Sequence, residues 1–169
     1  EIAENDGQDE LRVERVFEYL KQPENTVYGS SSAIFSHIMC PHCPFVFDRN
    51  GGKVDKRGNF NWEDLHYYTE QYAYTMSEME KIVAQLIEND PNCIIILQSD
   101  HGPRSRSDTR RAMKFNIAEE DMRRIFNAVY FGGQPLNIDG LTGVNTLRTV
   151  LNALGSDYPL LPNDPDVIP

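Results

Sequence analysis

Cysteine, positive charge and long apolar runs are all scarce in this chain, and each scarcity removes a class of protein. Three cysteines in 169 residues, Cys40, Cys43 and Cys93, are too few and odd in number for a disulfide framework. No apolar stretch approaches the ~18–20 residues that span a bilayer. Basic residues are outnumbered 16 to 26, which leaves a net charge of −10. A general binder of nucleic acid or anionic membrane needs the opposite balance. No secretory signal opens the chain, since Glu1-Ile2-Ala3-Glu4-Asn5-Asp6 is acidic and polar. No methionine stands first, so the sequence reads as a processed product or a piece of a longer one. Internal repeats and low-complexity tracts are also missing.

What is present is ordinary globular material, 40% apolar and 25% charged, enough for one domain with a hydrophobic core. Charge is uneven along the chain. Acids dominate residues 1–24, whereas Arg104, Arg106, Arg110, Arg111 and Lys114 crowd a short segment that holds Asp108 as its one acid. Such a basic loop suits a small anion, although a solvated loop is the plainer account.

Periodicity predicts the elements. Leu11, Val13, Phe17 and Leu20 give a helical stripe over 9–21, ended by Pro23. The mostly apolar run 33–39 has strand length and lies between Gly29-Ser30-Ser31-Ser32 and Pro41. Residues 41–61, punctuated by Pro41, Pro44 and Asn50-Gly51-Gly52, read as a long loop. A helix then runs from an Asn61 cap to about Asn89, with Leu65, Tyr68, Tyr72, Met76, Met79, Val83 and Leu86 as its core-facing stripe. Cys93-Ile94-Ile95-Ile96-Leu97 has no alternation, as expected of a strand covered on both faces. A helix near 118–127, a strand at 128–131 and a helix at 143–154 with Gly155 at its end complete the series. Strand–helix alternation predicts an α/β fold, a three-layer, mostly parallel sheet flanked by helices. The expected organisation is a single domain over 1–169, with residues 1–24 as an acidic helical lead-in and 156–169 as an extended Pro-rich tail. The lead-in helix is a candidate cover for one face of the sheet.

Two constellations carry chemistry. Ser99-Asp100-His101-Gly102 follows the carboxyl end of the buried strand, where open α/β sheets bind ligands. A carboxylate and an imidazole side by side can share one divalent cation. On spacing alone, a turn-capping Asp100 and an exposed His101 are the stronger account of so common a pair. Pro41-His42-Cys43-Pro44-Phe45 also follows a predicted strand, and parallel strands would put His42 on the same sheet edge. Cys40-Pro41-His42-Cys43 imitates a C-x-x-C redox motif, but Pro44 and Asn50-Gly51-Gly52 leave no room for the helix such a thiol needs, so thiol redox through Cys40 and Cys43 is the weaker alternative.

Together these stretches resemble one family. His37-Ile38-Met39-Cys40-Pro41-His42-Cys43-Pro44-Phe45 is similar to the H, three residues, P-H-x-P-F stretch of sulfatase-like proteins of the alkaline phosphatase superfamily. Ile94 to Gly102 resembles their apolar strand ending in D-H-G. The helix with Tyr68, Gln71 and Tyr72 resembles their Y-x-x-Q-x-x-Y helix. Val144-Asn145-Thr146-Leu147-Arg148 and Asp157-Tyr158-Pro159-Leu160-Leu161-Pro162 resemble the closing helix and tail of membrane-associated members.

The resemblance implies a metal-dependent hydrolase or transferase acting on sulfate or phosphate esters through a covalent intermediate on Ser, Thr or a modified Cys. Asp100 and His101 would ligate one divalent metal ion (Mn, Mg, Ca or Zn). His42 would meet the substrate, with Arg104 or Arg106 near its anion. The substrate would be a small anionic ester or a lipid head group, and nucleic acid would not be a partner. The chain would belong to the extracytoplasmic domain of a membrane-anchored protein of the bacterial envelope. In the family the nucleophile and a further acidic ligand precede these motifs, and residues 1–30 carry neither in the expected context. The chain therefore corresponds to the carboxyl-terminal half, inactive alone, with an uncovered sheet through which two copies could pair. No histidine follows His101, which favours a one-metal site. A non-catalytic remnant serving as a binding or structural module is the other reading of these departures.

Overall fold

The computed structural model describes residues 8–26, 31–54, 65–103 and 119–169. The chain divides into two compact units, Glu1–Asp90 and Pro91–Pro169.

In the first unit, α1 (Gln8–Lys21) is followed by a one-turn α2 (Pro23–Thr26) and the long α3 (Leu65–Asn89). Pro23 both stops α1 and opens α2, where its missing N–H is no loss. The stripe expected on α1 is used, with Val13 and Phe17 buried. It packs on α3. Phe17 meets Tyr74 edge to face, ring centroids 5.9 Å apart. The core joins Val13, Phe17, Cys40, Val46, Phe47 and Ile82, with Leu20, Ile38, Tyr74, Met79 and Leu86 packed around them. Each buried phenylalanine contributes about 1.5–3 kcal/mol.

The buried face of α3 is a correction to the periodicity. Gln71, Thr75, Glu78 and Ile82 are the buried residues, at spacings of four, three and four. The apolar stripe flanks this line, and Tyr72 is exposed. Three polar residues can occupy the line because each is satisfied: Gln71 and Thr75 by hydrogen bonds and Glu78 by two ammonium groups. Helix residues 61–64, with the expected Asn61 cap, lie outside the described residues.

The strand expected over 33–39 is absent. Residues 31–40 have no regular structure, and Ile34, Phe35 and Met39 are exposed, Phe35 at 93%. Among the described residues nothing pairs with this run, and a strand without a ladder partner has no backbone hydrogen bonds to define it. The loop after it is better ordered than its composition suggested. Phe45, Val46 and Phe47 are buried, and Phe47 and Lys53 form an antiparallel bridge. Its reversal needs Gly51, at φ 83° and with the Tyr74 ring 2.7 Å from where a β-carbon would stand.

The second unit holds β1 (Ile94–Gln98), α4 (Glu119–Arg123), β2 (Asn127–Phe131) and α5 (Gly143–Ala153). The strands pair antiparallel, with Ile94 opposite Phe131 and Gln98 opposite Asn127. The chain is α/β as expected, but this two-stranded antiparallel ladder replaces the parallel pairing read from strand–helix alternation. Alternation predicts parallel strands only when the intervening helix crosses over the sheet, and here the chain returns to β2 running the other way. Neither strand is fully covered: Ile94 and Gln98 are exposed and the rest half-buried.

Helix α5 also inverts its expected face. Val150 is buried, but so are Asn145 and Thr146, whereas Val144, Leu147 and Leu154 are exposed. The polar side is buried because it holds the tail. Asn145 donates to the Leu161 carbonyl at 2.7 Å and accepts from the Leu161 amide at 2.9 Å. Thr142, preceding the helix, donates its hydroxyl to Asn163 at 3.2 Å and does not cap the helix with it. Thr146 pairs with Asn127 of β2. The helix ends as expected: Gly155 adopts φ 98°, its amide bonds Asn152 O, and Ser156 N bonds Leu151 O. The Pro-rich tail is pinned further by Ile168, which exchanges backbone bonds of 2.9 Å with Arg123 and Ile125.

Glu78 generates a prediction. Its carboxylate accepts from Lys21 of α1 and from Lys81, both at 2.6 Å. Burial works to raise its pKa, but the two lysines outweigh this and hold it below the usual glutamate value. For Lys21, burial works downward and its bonds to Glu78 and Glu18 override it, leaving the pKa raised. Glu78→Ala should lower the unfolding free energy by about 1–3 kcal/mol near neutral pH. A depressed carboxylate stabilises the fold above its unfolded pKa, so the gap between variant and wild type should close as pH falls below 4.5. The Lys21 share should persist up to 10.5 and fade above it. Urea denaturation across pH measures both, and a pH-independent gap would refute the ion pair.

Candidate active site

The loop that carries His42 is built on α3. Gln71, 1% exposed, points its amide into the loop backbone. Its Oε1 accepts from the amides of Val46 at 2.7 Å and Phe47 at 3.2 Å. Its Nε2 donates to the carbonyls of His42 at 2.9 Å and Pro44 at 3.4 Å. One side chain thus satisfies four backbone groups that have no ladder to join. One turn on, the Thr75 hydroxyl lies 3.0 Å from Cys40 Sγ and donates to the Gln71 carbonyl at 2.7 Å. Past the loop, Arg49 grips Glu70 through Nε at 2.8 Å and Nη2 at 2.5 Å. That hydrogen-bonded ion pair raises the arginine pKa and lowers the glutamate's.

His42 itself is exposed, with Nδ1 2.5 Å from the Cys43 carbonyl. A carbonyl oxygen only accepts, so Nδ1 carries the proton and Nε2 the lone pair of the neutral ring. Phe45, buried behind it, meets Tyr68 edge to face with centroids 6.0 Å apart. Burial, with a smaller contribution from the neighbouring Tyr72, pushes the Tyr68 hydroxyl up to about 12.

In the second unit, Ser99 ends the ladder and sets the turn. Its amide donates to Phe126 O at 2.9 Å, and its hydroxyl accepts from Phe126 N at 2.8 Å. Asp100 and His101 follow at once and are brought together: Asp100 Oδ2 lies 3.6 Å from His101 Nε2. The Asp100 side chain is exposed, whereas that of His101 is 20% accessible. His101 Nδ1 is 2.5 Å from the Gly102 carbonyl, so Nε2 is again the lone-pair atom. This is the arrangement expected of a metal-ligating histidine, whose second nitrogen is tied to a carbonyl. Two donors each about 2.0–2.2 Å from one ion at a tetrahedral angle stand roughly 3.3–3.6 Å apart, which the pair matches. Two donors are half of a ligand set. Among the described residues no cluster of three or more His, Cys, Asp or Glu is placed to hold a metal. Arg104 and Arg106 lie outside the described residues.

Gly102 secures the turn by close packing. It is buried, and a β-carbon there would stand 2.2 Å from Asp121 O, 2.8 Å from Arg124 O and 3.2 Å from Met122 O. Only glycine lets the chain enter the carbonyl end of α4, where its own amide donates to Met122 O at 3.1 Å.

The surroundings of Cys40 disfavour a redox pair. No disulfide is present, and Cys40 is buried, its pKa pushed up to about 11 by burial against a smaller opposing pull from Thr75. A redox cysteine needs the reverse, a depressed pKa and access. What sequence reasoning missed at this site is Gln71 and Ser99. Both stand inside the matched motifs.

The class these features define is an α/β protein with a carboxylate–imidazole pair just past a strand end. The family model described as Sulfatase matches residues 4–147, most of the chain, and the chain belongs to the sulfatase family of the alkaline phosphatase superfamily. Sulfatases generally use a divalent metal. No curated protein and no solved structure matches the chain.

Two measurements follow. Gly102→Ala should destabilise the second unit by about 1–3 kcal/mol, since its new methyl meets backbone that cannot step aside; unchanged denaturation would disprove the close packing. Alkylation at about pH 8 should leave Cys40 unmodified until the protein unfolds. If Cys40→Ser abolishes a fast-reacting thiol, the buried-thiol assignment is wrong.

Proposed function

We propose that this chain is part of a metal-dependent, sulfatase-like ester hydrolase or phospho- or sulfo-group transferase. Asp100 and His101 hold one divalent cation, Mn, Mg, Ca or Zn, and the nucleophile comes from outside these 169 residues. The observation that carries the reading is the 3.6 Å approach of Asp100 Oδ2 to His101 Nε2, in a chain of the sulfatase family. When bound, the cation supplies positive charge that offsets the ester oxygens and activates the nucleophile. The rest of the chemistry falls to side chains. His42 meets the ester, where Nε2 accepts a proton or, as imidazolium, donates one to an oxygen. Arg104 and Arg106 bind the anion. The substrate is a small anionic ester or a lipid head group, and the whole protein is a membrane-anchored one with this domain outside the cytoplasm. Among the described residues no helix is long and apolar enough to cross a membrane. Two copies associate through the uncovered strand faces.

Mn²⁺ tests the site even at weak affinity. The chain has four histidines, and paramagnetic broadening reports on each ring separately. His101 signals should broaden at lower Mn²⁺ than those of His37 or His66, and Asp100→Ala should shift that response to several-fold higher metal. Equal broadening of all the histidines would rule out the assignment. The isolated chain should show no efficient turnover of aryl sulfate or phosphate esters; rapid turnover would mean that the nucleophile is within it.

A further inference from the structure

We propose that Gln71 is a positioning residue for His42, holding the loop backbone so that the imidazole stays in the Nδ1–H tautomer with Nε2 as its lone-pair atom. Its functional meaning rests on the reading of His42 as the substrate histidine; its geometry does not.

The loop is short of backbone donors. Pro41 and Pro44 flank His42 and Cys43 and bring no N–H donors. No strand ladder reaches residues 40–45. Gln71 supplies what the loop lacks, two donors for its carbonyls and one acceptor for its amides. The two carbonyls it holds, those of His42 and Pro44, bracket Cys43. The peptide between is therefore fixed in orientation, with the Cys43 carbonyl 2.5 Å from His42 Nδ1. Accepting that proton selects the tautomer that unrestrained neutral histidine disfavours in water. Nε2 is then the atom able to take a proton or to meet an ester oxygen.

A buried amide with four backbone partners also contributes to stability, so the test must separate positioning from packing. Gln71→Glu makes that separation. A carboxylate still accepts from Val46 and Phe47 but has nothing to donate to the His42 and Pro44 carbonyls. The full chain, labelled with ¹⁵N-histidine, is examined by two-bond ¹H–¹⁵N correlation at about pH 8, above the ordinary histidine range. In the wild type, His42 should be Nδ1–H and the Gln71 side-chain amide protons slow to exchange. In Gln71→Glu, the Nε2–H fraction of His42 should rise several-fold, while His101, tied to the Gly102 carbonyl in the other unit, stays Nδ1–H. A folded variant with an unchanged His42 tautomer would overturn the proposal. Should the variant not fold, the wild type alone decides: a His42 that is mainly Nε2–H, or a rapidly exchanging Gln71 amide, overturns it equally. Adding inorganic phosphate probes the substrate reading separately. If phosphate leaves the His42 signals unmoved, the substrate role falls and the positioning result stands.

Discussion

A single buried amide, that of Gln71, governs the first unit. Burying an unsatisfied amide costs several kcal/mol, and burying a satisfied one costs little. Gln71 resolves that constraint by taking its four partners from the backbone of the loop. Helix and loop are thereby each the other's hydrogen-bonding complement. The burial of Phe45, Val46 and Phe47 follows, since these residues reach the core only when the backbone before them is held.

The same constraint recurs in the second unit with different residues. Asn145, Thr142 and Thr146 lie buried on one side of α5 and bind the tail and the start of β2. In both units a helix turns polar residues inward to fasten irregular chain. On α5 the exposed Val144 and Leu147 are the result. Irregular backbone cannot satisfy itself as a ladder does, so side chains with two-sided hydrogen-bonding capacity must meet it.

The site histidines show what that fastening achieves. His42 and His101 come from unrelated local structures, one from a proline-flanked loop and one from a strand end. Each donates Nδ1–H to the carbonyl of the next residue at 2.5 Å. Each is therefore set to use Nε2. For His101 that atom faces Asp100, and the pairing suits a shared cation. Ser99 and Gly102 secure this turn on its two sides, the first by closing the ladder and the second by fitting among the carbonyls of α4.

The sequence by itself determined the family, the order of elements from α3 onward and the identities of the chemical groups. Helix α3, strand β1, strand β2 and the Gly155 terminus were legible because their signals are local: apolar period, continuous β-branched residues, a glycine at a required left-handed φ. Asp100, His101 and His42 could be named as candidates because motif spacing is a property of the chain. Only the tertiary structure decided which helix faces are buried, which way β2 runs, and that residues 33–39 form no strand. Those outcomes depend on partners distant in sequence. Apolar periodicity assumes that the core is apolar, and it cannot foresee a glutamine, a glutamate or an asparagine that is buried because another segment completes its hydrogen bonds. The Asp100–His101 pair stood in the sequence as two adjacent letters. The 3.6 Å approach that makes it a candidate metal site came from the turn that Ser99 and Gly102 hold.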